Sequence, residues 1–185
     1  MATRIPMAIN EWYHCYNRGF DKIRTFKSDR DYQRFLVALY LCNSTEPMHL
    51  REAEKWDLKE ILSDAPLEKR EPLVDIAAYA LMPNHIHLIL KENTEGGISL
   101  FMQKVFTSYT MYFNKKYERT GALFAGTFKS KHISDDRYLK RIIPYVLLNP
   151  DGLSDATYSS LPDFLGKKRV ENKLVVTVDR LYDKK

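Results

Sequence analysis

Two histidines separated by one residue, His85 and His87, are the part of this sequence best placed to do chemistry. They open the run HIHLILKE, which reads as a strand, and in a strand residues two apart project from the same face. Ile86, Leu88 and Leu90 project from the other. Two imidazoles side by side can bind one divalent ion, or can simply hydrogen-bond at a sheet surface. A metal reading therefore needs further ligands. Near the end of the chain, Tyr138, Ile142, Tyr145 and Asn149 share one stripe of a helical wheel, and Leu139, Ile143 and Val146 form an adjacent core stripe. At i and i+4, Tyr145 and Asn149 can present a phenol and an amide oxygen to one phosphate. Equally, Tyr145 can be an amphipathic anchor, with Asn149 ending the helix before Pro150.

The elements that must hold these residues follow from the pattern. EWYHCYNR (Glu11 to Arg18) mixes aromatic and polar residues as a half-exposed strand does. Ser28 can cap a helix with Asp29 and Asp31 in its first turn, followed by Tyr32, Phe35, Leu36 and Leu39 at helical spacing. Asp75 to Met82 and His85 to Glu92 read as a hairpin turning at Pro83 and Asn84. Ile98, Phe101, Val105, Tyr109, Tyr112 and Phe113 predict a long helix to about Tyr117. A strand over Phe128 to Ile133 and a helix capped by Ser134 and running to Leu148 complete the order. Pro144 should kink or break that last helix. Strand, helix, two strands, helix, strand, helix predicts an α+β fold with an antiparallel sheet and its helices on one face. Leu174 to Val178 can add an extra strand.

The 185 residues suit one domain, and the composition, 44% hydrophobic with 7 Gly, excludes disordered and collagenous classes. Cys15 and Cys42 have no metal-type spacing, so neither a disulfide framework nor a structural zinc site is expected. No apolar run approaches the roughly 20 residues of a membrane helix, and a cytoplasmic location is expected. The formal charge is +5, but residues 44 to 75 hold nine acids and five bases, leaving a body of 24 bases and 15 acids. Such a body suits a polyanionic partner, nucleic acid first, or serves solubility alone. We read residues 44 to 75 as an acidic surface insertion and about 163 to 185 as a basic C-terminal segment of a single domain, 1 to 185. Alternating aromatic and basic residues, namely His14, Tyr16, Arg18, Lys22 and Arg24 near the first strand and Lys129, Lys131 and His132 in the fourth, suit stacking on unpaired bases and pairing with phosphates. Tyr16 and His132 can instead be half-buried packing residues. Lys167, Lys168, Arg169 and Lys173 can grip a hairpin backbone or form a solvated charge run.

The blocks YHCYNRG (Tyr13 to Gly19), ALMPNHIHLIL (Ala80 to Leu90), YFNKKYERTGALFAGTFKSKHISDDRYL (Tyr112 to Leu139) and YVLLNP (Tyr145 to Pro150) resemble the single-tyrosine HUH transposases of small insertion sequences, and most of all the REP-associated tyrosine transposases. The resemblance covers residues 11 to 160 apart from the acidic insertion. It implies a ferredoxin-like (RRM-like) HUH fold and a metal-dependent single-stranded DNA endonuclease and strand transferase, acting near hairpins through a 5′-phosphotyrosine. It implies His85 and His87 as ligands of Mg²⁺ or Mn²⁺, Asn149 as the third ligand and Tyr145 as the nucleophile. The partner implied is single-stranded DNA with REP-like hairpins, bound by a monomer or homodimer in a bacterial, nucleoid-associated setting. His14, His49 and His132 fall outside that ligand set, and their loss is expected to leave metal affinity nearly intact. The alternatives are a non-catalytic RRM-like nucleic-acid-binding module or degenerate transposase, and a metal phosphodiesterase of small substrates, which would need the histidines but not the tyrosine.

Overall fold

The computed structural model describes residues 6–46, 60–61, 71–148 and 158–176. Four strands, β1 (Trp12–Arg18), β2 (Val74–Met82), β3 (His85–Glu92) and β4 (Lys129–Ile133), form one antiparallel sheet in the order β2-β3-β1-β4. Helices α1 (Asp29–Leu41) and α2 (Gly97–Lys116) cover one face. There Phe35 and Leu39 of α1 and Ile98, Phe101, Val105, Tyr109 and Phe113 of α2 are buried with Tyr13, Cys15, Leu88 and Leu90 of the sheet. The predicted spacing in both helices is thus the spacing of their core contacts.

Helix α3 (Asp136–Leu147) lies against the opposite face, which corrects the expectation of helices on one face only. Its Leu139, Ile143 and Val146 pack with Ala78, Ala80 and Met82 of β2 and Ile89 of β3. The physical reason is visible in β2, whose run IAAYALM is apolar at every position, as strands covered on both faces are. A bulge between Ile76 and Ala78 sets the phase, so that Ile76 and Tyr79 join the first core while Ala77 and Ala78 join the second.

Asp135, and not Ser134, caps α3, because its carboxylate accepts the Tyr138 N–H at 2.8 Å. Pro144 does not break the helix, which continues to Leu147, with the Leu148 N–H donating to the Pro144 carbonyl at 2.8 Å. Pro144 and Lys140 lie on the exposed side, where water can satisfy the carbonyl that proline leaves without its helical donor. Asn149, Pro150 and His49 lie outside the described residues, as does most of the acidic segment.

Beyond α3, the short helix α4 (Leu161–Phe164) and a 3-10 turn (Val170–Leu174) run along the outer edge of β2. Ser159 bridges Ala80, the Ser160 N–H donates to the Tyr79 carbonyl at 3.0 Å, and the Val176 N–H donates to the Ile76 carbonyl at 2.9 Å. Leu174 thus belongs to the 3-10 turn; of the strand anticipated over Leu174 to Val178, the single Val176 bond is described. Arg169 is an internal anchor and not a free grip for DNA: it donates to both oxygens of Asp163, at 2.8 and 2.7 Å, and to the Tyr79 hydroxyl at 3.1 Å.

Candidate metal and nucleic-acid site

The register places the two histidines. Along one row across the α3-side face stand Ala80, His87, Tyr16 and Lys129, and the next row toward the turn has Met82, His85 and Arg18. His85 and His87 therefore share a face as expected, with ring centroids 5.2 Å apart and planes at 87°. Both line a cleft of about 740 Å³ with Tyr16, Asn17, Arg18, Lys22, Asn84, Ala125 and Lys129. Three cations from three different segments, Arg18, Lys22 and Lys129, make that cleft attractive to a phosphate backbone.

Main-chain bonds hold the turn that carries the histidines. Gly19 N–H donates to the Asn84 carbonyl at 2.8 Å, and the Thr25 and Phe26 N–H groups both donate to the Pro83 carbonyl, at 2.8 and 3.1 Å. Gly19 is required by close approach, since a Cβ there would lie 2.3 Å from the Ile23 carbonyl oxygen. Between these anchors Asp21 and Lys22 both take left-handed backbone conformations, with φ of 49° and 57°. Consecutive non-glycine residues in that region store strain, and here they do so at the cleft. On the other side Asn17 donates to the Gly126 carbonyl at 3.1 Å, and the Ala125 N–H donates to the Arg18 carbonyl at 2.8 Å. Thus Gly19 of the first block clasps the His-bearing turn while Asn17 and Arg18 tie the same strand end to residues 125 and 126, a role the local sequence pattern does not reveal.

His14 differs most from expectation. It is 7% exposed and hydrogen-bonded through Nε2 to Nδ1 of His87 at 2.8 Å, the two rings being stacked. A buried ring so engaged offers little surface to a base, so His14 belongs behind His87. Burial, and then the nearby Lys131 charge, push its pKa down to about 4. Burial, His14 and His85 push His87 down to about 3. Both rings are neutral at physiological pH, which is the form that ligates a metal. His85 meets the Asn84 side-chain oxygen through Nδ1 at 2.7 Å.

The other candidates separate by strand phase. Lys131 follows Lys129 onto the cleft face, where its ammonium lies 5.4 Å from the Tyr138 ring centroid. His132 points to the opposite face, against the Tyr13 ring and 2.8 Å from Glu11, so it does not share a surface with the other basic residues. Successive residues of a strand alternate, and the grouping of Lys129, Lys131 and His132 ignored that. Arg24 is exposed and does not line the cleft. Tyr145 stands on α3, 56% exposed, and does not line the cleft either.

Among the described residues no three His, Cys, Asp or Glu side chains converge to hold a metal. The donors present are the imidazoles of His85 and His87, and with the Nδ1 of each engaged by Asn84 or His14 they suit an ion whose remaining ligands are oxygens.

Residues 22–148 match the family described as Transposase IS200 like. The chain belongs to the IS200-like transposase family. Among solved structures it is similar to a REP-associated tyrosine transposase bound to a REP hairpin, with 15% identity, a TM-score of 0.59, and 92% of this chain and 89% of that one covered. At that identity the likeness shows the fold. No curated protein matches. The four-stranded antiparallel sheet presents the His-x-His strand in its interior, and no described helix is long and apolar enough to cross a membrane.

Proposed function

We propose that this IS200-like transposase is a metal-dependent single-stranded DNA endonuclease and strand transferase that acts near hairpins and attaches to a 5′ end through Tyr145. The observation that carries the reading is the pair of histidines, His85 and His87, side by side in a cleft lined by Arg18, Lys22 and Lys129. A divalent ion such as Mg²⁺ or Mn²⁺, held by His85 and His87 with Asn149 as an oxygen donor, would supply charge neutralisation at the scissile phosphate. Arg18, Lys22 and Lys129 hold the backbone on either side of it, and Tyr16, half-buried beside His87, offers a ring to an unpaired base. The Tyr145 oxygen attacks phosphorus and releases its proton to solvent. The bond from phosphorus to the 3′ oxygen breaks, and that oxygen takes up a proton as the leaving 3′ hydroxyl. One phosphodiester replaces another, so reversal by a second 3′ hydroxyl joins strands without ATP. The family has this chemistry in prospect without a glycine loop for nucleotide phosphates, and the sequence contains none.

The test is covalency. With Mg²⁺ or Mn²⁺ and a labelled hairpin-bearing single strand, the parent protein should form an SDS-stable adduct, and Tyr145→Phe, which removes one oxygen from an exposed side chain, should bind DNA but form none. Because Tyr145 does not line the cleft, a mixture of Tyr145→Phe and His87→Ala adds a second answer: recovered adduct means that tyrosine and histidines come from different copies. No adduct from the parent would favour a hairpin-binding module. An adduct that persists in Tyr145→Phe would move the nucleophile to another tyrosine, Tyr138 first.

A further inference from the structure

Each of the two histidines has its Nδ1 engaged by a side chain that the ligand set does not include. His85 Nδ1 lies 2.7 Å from the Asn84 Oδ1, an oxygen that can only accept, so that ring must carry its proton on Nδ1. His87 Nδ1 lies 2.8 Å from Nε2 of His14, which can accept or donate according to its own tautomer. The three rings form a continuous group, His85 at 87° to His87 and His87 stacked on His14 at 5.1 Å. The two supports have different origins. Asn84 is in the hairpin turn, where its main-chain carbonyl is already fixed by Gly19, while His14 reaches His87 from the neighbouring strand and is buried there.

We propose that Asn84 and His14 are positioning residues that accept the Nδ1 protons of His85 and His87, fixing both rings in the tautomer whose Nε2 carries the lone pair. This rests on the metal reading above and deepens it: the histidine pair is one layer of the site, and a side-chain amide and a third imidazole are the layer behind it. A ligand ring held in this way gains basicity and loses the freedom to turn, and outer partners of this kind typically change metal affinity by about 10- to 100-fold. It also reverses the expectation that His14 is irrelevant to metal binding. Asn84 acquires a second task beyond forming the turn, and a turn alone would accept Asp, Gly or Ser there equally well.

The experiment has two readouts. Long-range ¹⁵N–¹H spectra of the metal-free protein report the tautomer of each ring, and Mn²⁺ titration calorimetry reports affinity. In the parent, His85 and His87 should both be protonated at Nδ1. Asn84→Ala and His14→Leu should each weaken Mn²⁺ binding about 10- to 100-fold, and His14→Gln, whose side-chain oxygen falls near the position of Nε2, should recover most of the loss. Asn84→Ala lies in a half-buried turn at an ordinary backbone conformation, so it keeps the test decisive should His14→Leu fail to fold. Finding His87 protonated on Nε2, or finding both variants bind Mn²⁺ as the parent does, overturns the proposal. A parent that binds no Mn²⁺ overturns the metal reading instead, and the tautomers, read without metal, still show whether the supporting layer is as described.

Discussion

Replacing Gly19 by alanine tests whether the strand-end clasp governs the site. An added Cβ would lie 2.3 Å from the Ile23 carbonyl oxygen and 3.1 Å from Thr25 Cγ2. Carbon–oxygen contacts settle near 3.3 Å, so the loop must open by about 1 Å. That loop is the one whose Thr25 and Phe26 amides hold the Pro83 carbonyl, and the Gly19 amide itself holds Asn84, so the strain passes directly to the turn carrying His85. Forcing a methyl group into such a contact costs about 1–3 kcal/mol, to be read from urea unfolding followed by circular dichroism. A shift of about 1 Å in a catalytic group can cost about 100-fold in rate. Cleavage of a hairpin-bearing single strand should therefore fall far more than the loss of folded protein accounts for. A variant within about 0.5 kcal/mol of the parent that also cleaves normally would refute the reasoning.

Three further outcomes are expected. Asp31, fully buried, accepts from the Lys27 and Ser28 amides, the Tyr112 and Tyr117 hydroxyls and the Lys116 ammonium at 2.6–3.0 Å, so Asp31→Asn should cost about 2–3 kcal/mol in urea unfolding. Burial alone would raise its pKa, but Lys116, the Lys27 amide and the two tyrosines outweigh burial and hold it below the ordinary carboxylate value. Its contribution is then full above the unfolded value of about 3.9 and is lost as pH falls through the lower folded value, so Asp31→Asn should show a shallower acid loss of stability than the parent. Single-strand affinity should fall steeply with salt, and Lys129→Ala with Lys131→Ala should reduce the log–log slope by about 1.4 if each contacts one phosphate; an unchanged slope would remove them from the interface. Arg169→Met should lose the paired bonds to Asp163 and the bond to Tyr79, lowering stability while leaving that salt slope unchanged, since the guanidinium is spent internally.

The four strands of the sheet and its three long helices were legible to within a residue or two because their apolar residues recur at a regular spacing, whereas the short turns after residue 158 have no such repeat. α2 repeats its apolar residues at three and four, and the hairpin is bracketed by Pro83 and Asn84. The shared face of His85 and His87 followed from strand alternation alone. The face on which α3 packs did not, because a helical wheel names the buried stripe and not the layer it meets; the uninterrupted apolar run of β2 was the available signal. His14 and His87 are 73 residues apart, and their contact depends on β1 lying beside β3 in the middle of the sheet, which no local pattern states. Gly19 likewise reveals its purpose only when the turn at Pro83 and Asn84 is set against it. The opposite placement of His132 was legible too, since the period of two that puts His85 and His87 on one face also sends residue 132 away from 131.

The two margins of the sheet bear on how the molecule meets its own copies. An outermost strand is ordinarily an invitation for another chain to add on and propagate. On the β2 side that invitation is withdrawn by the chain's own later residues: Ser159, Ser160 and Val176 occupy main-chain groups that a visiting strand would need, and Arg169 bolts the covering segment to Tyr79. The β4 side is only five residues long and carries exposed Lys129 and Lys131, a short and cationic rim that repels its like. Strand-by-strand growth therefore finds no good template at either margin, and the same lysines that give the cleft face its positive charge also serve as protection against self-assembly.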